Sequence, residues 1–200
     1  MQHRQTLVLA TSNQNKVREL DALLRGRGWQ VRALTEITGP VDIPETGATL
    51  HENAVLKARA ALDYTGYASL ADDTGLEVDA LQGRPGVHSA RYAGSGADDA
   101  ANRALLLKEL EGVKDAEARP ARFRTELAFL DPSGDLRVYT GLCEGRILFG
   151  ERGSGGFGYD ALFQPDGYDQ SFAELSAHEK NRISHRGRAL RAFLKGESGR

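Results

Sequence analysis

TLVLA at 6–10 is a β-branched, apolar run that ends in the polar turn Thr11-Ser12-Asn13. Val17, Leu20, Leu23 and Leu24 then fall at helical spacing, Gly26 and Gly28 stop the helix, and WQVRAL at 29–34 reads as a second strand. Strand, turn, helix, strand in this order is the feature that most restricts the fold. Two consecutive strands joined through a helix pair parallel, and the helix must then cover a face of their sheet. The chain is therefore expected to be α/β.

The remainder adds antiparallel elements. Thr49-Leu50-His51-Glu52 is a capping box that opens an alanine-rich helix through Leu56, Ala60 and Ala61, ending near Gly66. ASLA at 68–71 is strand-like and is expected to stop at Asp72 and Asp73, and a helix fits 102–110. RFRTELAFL at 122–130 alternates, with Phe123, Thr125, Leu127 and Phe129 on one face, DPSG at 131–134 is a turn, and LRVYTGL at 136–142 returns antiparallel. ILF at 147–149 is a possible further strand, and YDALF at 159–163 is strand-like. A second capping box, Ser176-Ala177-His178-Glu179, is expected to start one last helix carrying Ile183, Leu190, Phe193 and Leu194. The fold expected is an elongated mixed sheet with flanking helices, in a single domain over 1–200. Its hairpin region, 120–150, contributes to a second lobe.

Composition excludes several function classes. The 200 residues are 40% hydrophobic and 27% charged, as in an ordinary globular chain long enough to bury a core. A net charge of -2 gives no basic field for a nucleic-acid polymer or an anionic membrane. The single cysteine, Cys143, excludes an internal disulfide and suits a reducing compartment. The apolar run LVLA near the start is too short for a signal peptide or a membrane span. A soluble, cytoplasmic protein is the expectation.

Four stretches carry chemistry. In LADDTGL at 70–76, adjacent carboxylates sit at an expected strand end, where open α/β sheets display their sites. Neighbours on an extended chain face opposite ways, so Asp72 and Asp73 do not chelate together: one faces a cleft, and the other turns inward or caps a turn. Taken alone, Asp-Asp-Thr-Gly reads as an Asx turn. TSNQNK at 11–16 joins strand to helix and ends in Lys16, an arrangement suited to phosphate oxygens, although taken alone it reads rather as an ordinary capped helix with a solvated lysine. It lacks the spacing of the G-x-x-x-x-G-K-[ST] loop.

GSGGFGYD at 153–160 contains a formal G-x-G-x-x-G, but no helix opens after it, so the dinucleotide reading fails. Its glycines permit close backbone approach, and Phe157 and Tyr159 offer ring faces for a base. A glycine-rich turn with core aromatics is the plainer alternative. In AELSAHEKNRISHRGRAL at 173–190, Lys180, His185 and Arg186 cluster on an otherwise amphipathic helix. A solvated basic face is the usual fate of such runs.

Six segments in order, TSNQNKVREL, PETGATLHENAVLKA, ADDTGLEVDAL, GRPGVHSARYAG, GSGGFGYDALF and AELSAHEKNRISHRGRAL, resemble the inosine triphosphate pyrophosphatase family over almost the whole chain. The resemblance implies two lobes around a central nucleotide-binding cleft, a homodimer, and Mg²⁺-dependent hydrolysis of ITP, dITP and XTP to the monophosphate and pyrophosphate. It matches Asp73 to the catalytic carboxylate that also binds metal, and Glu45 to an acidic metal site; Pro44 stands where many relatives carry a second acid. It matches Thr11, Ser12, Asn13, Gln14, Asn15 and Lys16 to the phosphate-binding turn, and Thr74 to a hydroxyl on the substrate. Phe157, Gly158, Tyr159 and Asp160 match the base-and-sugar segment; Lys180, His185 and Arg186 match the remaining substrate contacts.

On this reading Asp73 orients or deprotonates the attacking water, with Lys16 and Arg186 converging beside it. Donors such as His185 or Arg186 facing a 6-oxo purine would leave an adenine amino group unpaired, a basis for discrimination of roughly 10⁴–10⁵. Guanine must be rejected through its 2-amino group. A related pyrophosphatase acting on modified pyrimidine or methylated nucleotides is the enzyme alternative, a nucleotide-binding regulator without turnover a second, and an RNA-binding module, read from the late basic helix, a third.

Overall fold

The computed structural model describes residues 5–11 and 13–197. Strand β1 (Gln5–Leu9), helix α1 (Gln14–Leu24) and strand β2 (Trp29–Ala33) form the expected parallel unit, with Leu7 opposite Val31. On its other side β1 pairs in parallel with β3 (Ala68–Val78), Leu9 opposite Leu70. A short helix α2 (Leu34–Thr38) follows β2 directly. Helix α3 (Leu50–Thr65) begins where the first capping box placed it: Thr49 Oγ1 accepts from the Glu52 N–H at 3.1 Å. The Glu52 carboxylate, however, reaches back to the Ala48 N–H at 2.7 Å, one residue before the cap. Gly66, at φ 70°, closes the helix in the left-handed region that suits glycine.

Strand β4 (Pro85–Gly86) pairs antiparallel with β3. Helix α4 (Asp99–Glu109) precedes the hairpin of β5 (Pro120–Leu130) and β6 (Leu136–Ile147), and β7 (Phe163–Pro165) pairs antiparallel with β6. The seven-stranded sheet has the order β2-β1-β3-β5-β6-β7, with β4 beside β3. The mixed α/β fold is as expected.

Three expectations about elements fail. β3 does not end at the aspartates but runs on to Val78. Leu76 and Val78 continue its burial, and Gly75 admits the backbone of Gly86, whose carbonyl oxygen would lie 2.5 Å from any Cβ there. The Asx turn is therefore excluded, because these residues are extended strand. Next, 147–149 add no strand of their own: Ile147 ends β6, and only Phe163 of YDALF enters β7. Lastly, the final helix is two helices, α5 (Ala177–Ile183) and α6 (His185–Glu197). They part at Ser184, whose backbone is extended (φ -66°, ψ 157°); serine loses little on leaving a helix interior.

The chain divides into two compact units, the first made of Met1–Asp73, Thr125–Gly141 and Arg186–Arg200. Its core is sorted by strand alternation. Leu7, Leu9, Leu70, Leu127 and Phe129 pack with Leu20 and Leu24 of α1 and Leu190 and Phe193 of α6. Val8, Ala10, Ala71, Ala128 and Leu130 pack with Leu34 of α2 and Ala54, Ala58 and Ala61 of α3. Helices thus cover both faces of the sheet, which is why Leu7, Val8 and Leu9 of β1 are consecutive apolar residues and all buried. The second unit is Thr74–Arg124 with Leu142–His185. Its core holds Leu76, Val78, Leu106, Phe123, Ile147, Tyr159, Leu162, Phe163 and Phe172.

Candidate active site

The sorting of the first unit's core also sorts the two aspartates. Asp72 lies two residues on from Leu70, on the face covered by α1 and α6. Asp73 follows Ala71 onto the face covered by α3. Each carboxylate therefore meets a different set of cations.

Asp72 is 1% exposed. Its Oδ2 lies 3.1 Å from Lys16 Nζ and 3.1 Å from Arg186 Nε. Arg186, also buried, bonds Glu19 of α1 through Nη1. Burial opposes the charge of Asp72, but Lys16, Arg186 and Lys57 outweigh it and hold the carboxyl far below its usual range. Burial lowers Lys16 against the pull of Asp72, and Lys57 and Arg186 add repulsion. The break at Ser184 matters here. His185 remains in the second unit, stacked on Phe123 at 4.6 Å between ring centroids, while Arg186 begins the first unit's last segment.

Asp73 Oδ1 accepts from Lys57 Nζ at 2.9 Å, and the same ammonium donates to Glu45 Oε1 at 2.7 Å. Asn53 Nδ2 lies 3.3 Å from Asp73 Oδ2, and Asn53 Oδ1 accepts from the Gly47 N–H at 2.7 Å. Gly47 is required at this approach, since a Cβ would stand 2.6 Å from that of Glu52. Burial pushes the Asp73 carboxyl up, Lys57 opposes, and Glu45 adds to the rise. Lys57 is driven the other way: burial lowers it, but Asp73, Asp72 and Glu45 more than compensate.

The expectation that Lys16 and Arg186 meet Asp73 is corrected by these contacts: both pair with Asp72. Asp73's cation is Lys57, which sequence reasoning missed along with Asn53 and Glu19. The first two had a readable signal. Asn53 and Lys57 stand four apart on an alanine-rich helix, on the stripe shared with Ala54, Ala58 and Ala61. A polar pair on an apolar stripe implies a buried partner.

In the phosphate-turn segment, Asn13 caps α1: its Oδ1 accepts from the Asn15 N–H at 2.9 Å and the Lys16 N–H at 3.4 Å. Thr11 Oγ1 accepts from the Asn13 N–H at 3.2 Å. Gln14 is exposed, Asn15 accepts from Arg18, and Ser12 lies outside the described residues. Thr74, half-buried, is the first residue of the second unit.

Within that unit, Asp160 Oδ2 accepts from Lys180 Nζ at 2.7 Å and from the Phe157 N–H at 2.8 Å. Lys180 Nζ stands 4.9 Å over the centre of the Phe157 ring. Gly156, at φ 71°, leaves no room for a side chain, because a Cβ would lie 2.1 Å from Asp160 Oδ2. Tyr159 does not offer the ring face expected of it. It is a core residue, 4% exposed, whose hydroxyl donates to the Ser89 carbonyl at 2.8 Å, and burial pushes its phenol up.

Among the described residues no group of three or more His, Cys, Asp or Glu side chains could hold a metal ion. Asp73 and Glu45 nonetheless form a hard-oxygen pair converging on one cation, the Lys57 ammonium. Two carboxylates fit Mg²⁺, which keeps waters and takes further ligands from substrate phosphates.

A model of the Ham1 family matches residues 7–196. The chain is similar to the dITP/XTP pyrophosphatase of Desulforamulus reducens, 52% identical over 188 residues, 94% of this chain and 93% of the relative. It is 50% identical to the dITP/XTP pyrophosphatase of Bacillus licheniformis over 185 residues, 92% of this chain and 94% of the relative. Among solved structures, a HAM1 protein from Coxiella burnetii is similar at TM-score 0.88 and 40% identity, covering 98% of this chain and 100% of that one. The Ham1 protein of Staphylococcus aureus follows at TM-score 0.86 and 36% identity, covering 98% and 99%.

Proposed function

The chain belongs to the Ham1 family, and we propose that its reaction, hydrolysis of deaminated purine nucleoside triphosphates to the monophosphate and pyrophosphate, runs on Asp73. The observation that carries this assignment is the separation of the two aspartates. Asp72 is neutralised by Lys16 and Arg186 in the interior, whereas Asp73 faces Lys57, Asn53 and Glu45 with its carboxyl raised.

Asp73 accepts a proton from the attacking water, whose oxygen bonds the α-phosphorus as the bridging P–O bond to the β-phosphate breaks. Pyrophosphate leaves and the monophosphate remains. Lys57 and Asn53, four apart on α3, fix the orientation of that carboxylate. Asp73 and Glu45 would hold Mg²⁺, which when bound would supply charge stabilisation for the phosphate oxygens. Lys16, paired with Asp72 through one 3.1 Å contact, turns its ammonium to donate to phosphate oxygens, helped by the start of α1. Arg186, held between Asp72 and Glu19, anchors the Asp72 carboxylate.

The base-and-sugar role belongs to Phe157, Gly158 and Asp160, with Lys180 and His185. Phe157 is the stacking surface and Asp160 orders its backbone N–H. Tyr159 supports the segment from the core. No helix among the described residues is long and apolar enough to cross a membrane. The enzyme works in the cytoplasm as a homodimer, which sedimentation would test.

Pyrophosphate release from ITP, dITP, XTP, ATP and GTP, each with and without Mg²⁺, tests the whole reading. The three deaminated nucleotides should be far better substrates than ATP or GTP, and only with Mg²⁺. Comparable kcat/KM across all five would contradict it.

A further inference from the structure

The glycine-rich segment is gripped from outside by a helix to which no role has been assigned. Asp99, in the first turn of α4, accepts from the Gly158 N–H through Oδ2 at 2.6 Å. Arg103, one turn later, donates from Nη1 to the Gly158 carbonyl at 2.9 Å, so both backbone groups of one glycine are held. Arg103 Nε also lies 2.9 Å from Glu151 Oε1, near the segment's start. Two side chains spaced i, i+4 on one helix face thus hold the Gly158 backbone, and Arg103 also pairs with Glu151 just before the segment.

Gly158 is a joint that needs such a grip. Its backbone is left-handed, φ 61°, and nothing within 4 Å would meet a Cβ there. Left to itself, a glycine samples more conformations than any other residue. It separates Phe157, whose N–H is bonded to Asp160, from Tyr159, whose hydroxyl is bonded to Ser89. Tyr159 is anchored in the core, and the Asp160 N–H donates to the Phe157 carbonyl at 3.2 Å, so Gly158 bridges two held residues and its backbone angles set the tilt of the Phe157 ring.

We propose that Asp99 and Arg103 are positioning residues for substrate selection: by locking the Gly158 backbone they hold the Phe157 ring at the angle that accepts one purine and disfavours others. This inference rests on Phe157 facing the base, as proposed above. Both side chains are spent on the Gly158 backbone, so on this proposal turnover of bound substrate should be largely spared. Charge-assisted hydrogen bonds of this kind are among the stronger ones.

The test compares kcat and KM for ITP and GTP in Asp99→Ala, Arg103→Met, the double variant, and Phe157→Ala. Asp99→Ala and Arg103→Met should each raise KM for ITP and lower the ITP/GTP ratio of kcat/KM by about tenfold, with kcat kept within about twofold. The double variant should lose less than the product of the singles, because both act on one backbone unit. Asp99→Asn and Arg103→Lys, which keep an acceptor and a donor, should recover most of the ratio. If Phe157→Ala destroys the ratio while Asp99→Ala leaves KM and the ratio at wild-type values, the positioning role is overturned and the base-site reading stands. If Phe157→Ala itself leaves the ratio unchanged, the base-site reading fails and this inference with it. Asp99 is exposed, so Asp99→Ala decides the matter even if Arg103→Met does not fold.

Discussion

At the scale of single residues, Asp72 and Asp73 have the same chemistry and opposite duties. Asp72 lies between Lys16 and Arg186, with its carboxyl almost wholly out of water. Removing one member of a buried ion cluster leaves the others uncompensated. Asp72→Asn should therefore cost about 3–5 kcal/mol of stability, read from denaturant unfolding. A change under 1 kcal/mol (about a fivefold shift in the folding equilibrium) would mean that Asp72 is not the anchor of Lys16 and Arg186. The sequence displayed the aspartate pair and, through strand alternation, the fact that its members part. It did not display which cation each meets, because that depends on which helix covers which face of β3.

At the scale of elements, α3 and the α5–α6 break set the site. An alanine-rich stripe lets α3 approach the sheet closely, and Asn53 and Lys57 interrupt that stripe where Asp73 needs partners. The capping boxes were legible because caps are local chemistry. Ser176 accepts from the Glu179 N–H, the first half of the motif, while the Glu179 carboxylate accepts from Arg182 and Tyr168. The end of α5 was not legible: a heptad of amphipathic sequence runs through Ser184, and only tertiary contacts of His185 and Arg186 show that the helix must break.

Glu179 offers a pH test of α5. Hydrogen bonds from Arg182 and then Tyr168 hold its carboxyl down to about 2. Its folded value is thus below the ordinary glutamate value of roughly 4.3, so its contribution is complete above that value and disappears as pH falls toward 2. Glu179→Gln should flatten that part of the acid limb of a Tm-against-pH curve. An unchanged limb would remove Glu179 from the account of acid stability.

At the scale of the whole molecule, the opening βαβ unit and the alternating hairpin were enough to fix the class of fold, and the structure adds the sheet order. The course of β3 past the aspartates depends on Gly75 meeting the backbone of Gly86, a contact between distant residues that no local pattern reveals. Each compact unit has its own apolar core, and neither core contains the Asp73–Glu45 pair. Chelating divalent cations should accordingly abolish pyrophosphate release without lowering Tm by more than a few degrees; loss of folding on chelation would make the metal structural instead.

Turnover of ITP by Asp73→Asn in saturating Mg²⁺ tests most directly the claim that the second aspartate of the pair carries the chemistry. Asparagine keeps the shape but cannot take the proton. Pyrophosphate release should fall by about 10²–10⁴-fold in kcat while the protein still unfolds cooperatively near the wild-type Tm. A variant that releases pyrophosphate at close to the wild-type rate would contradict the assignment of Asp73.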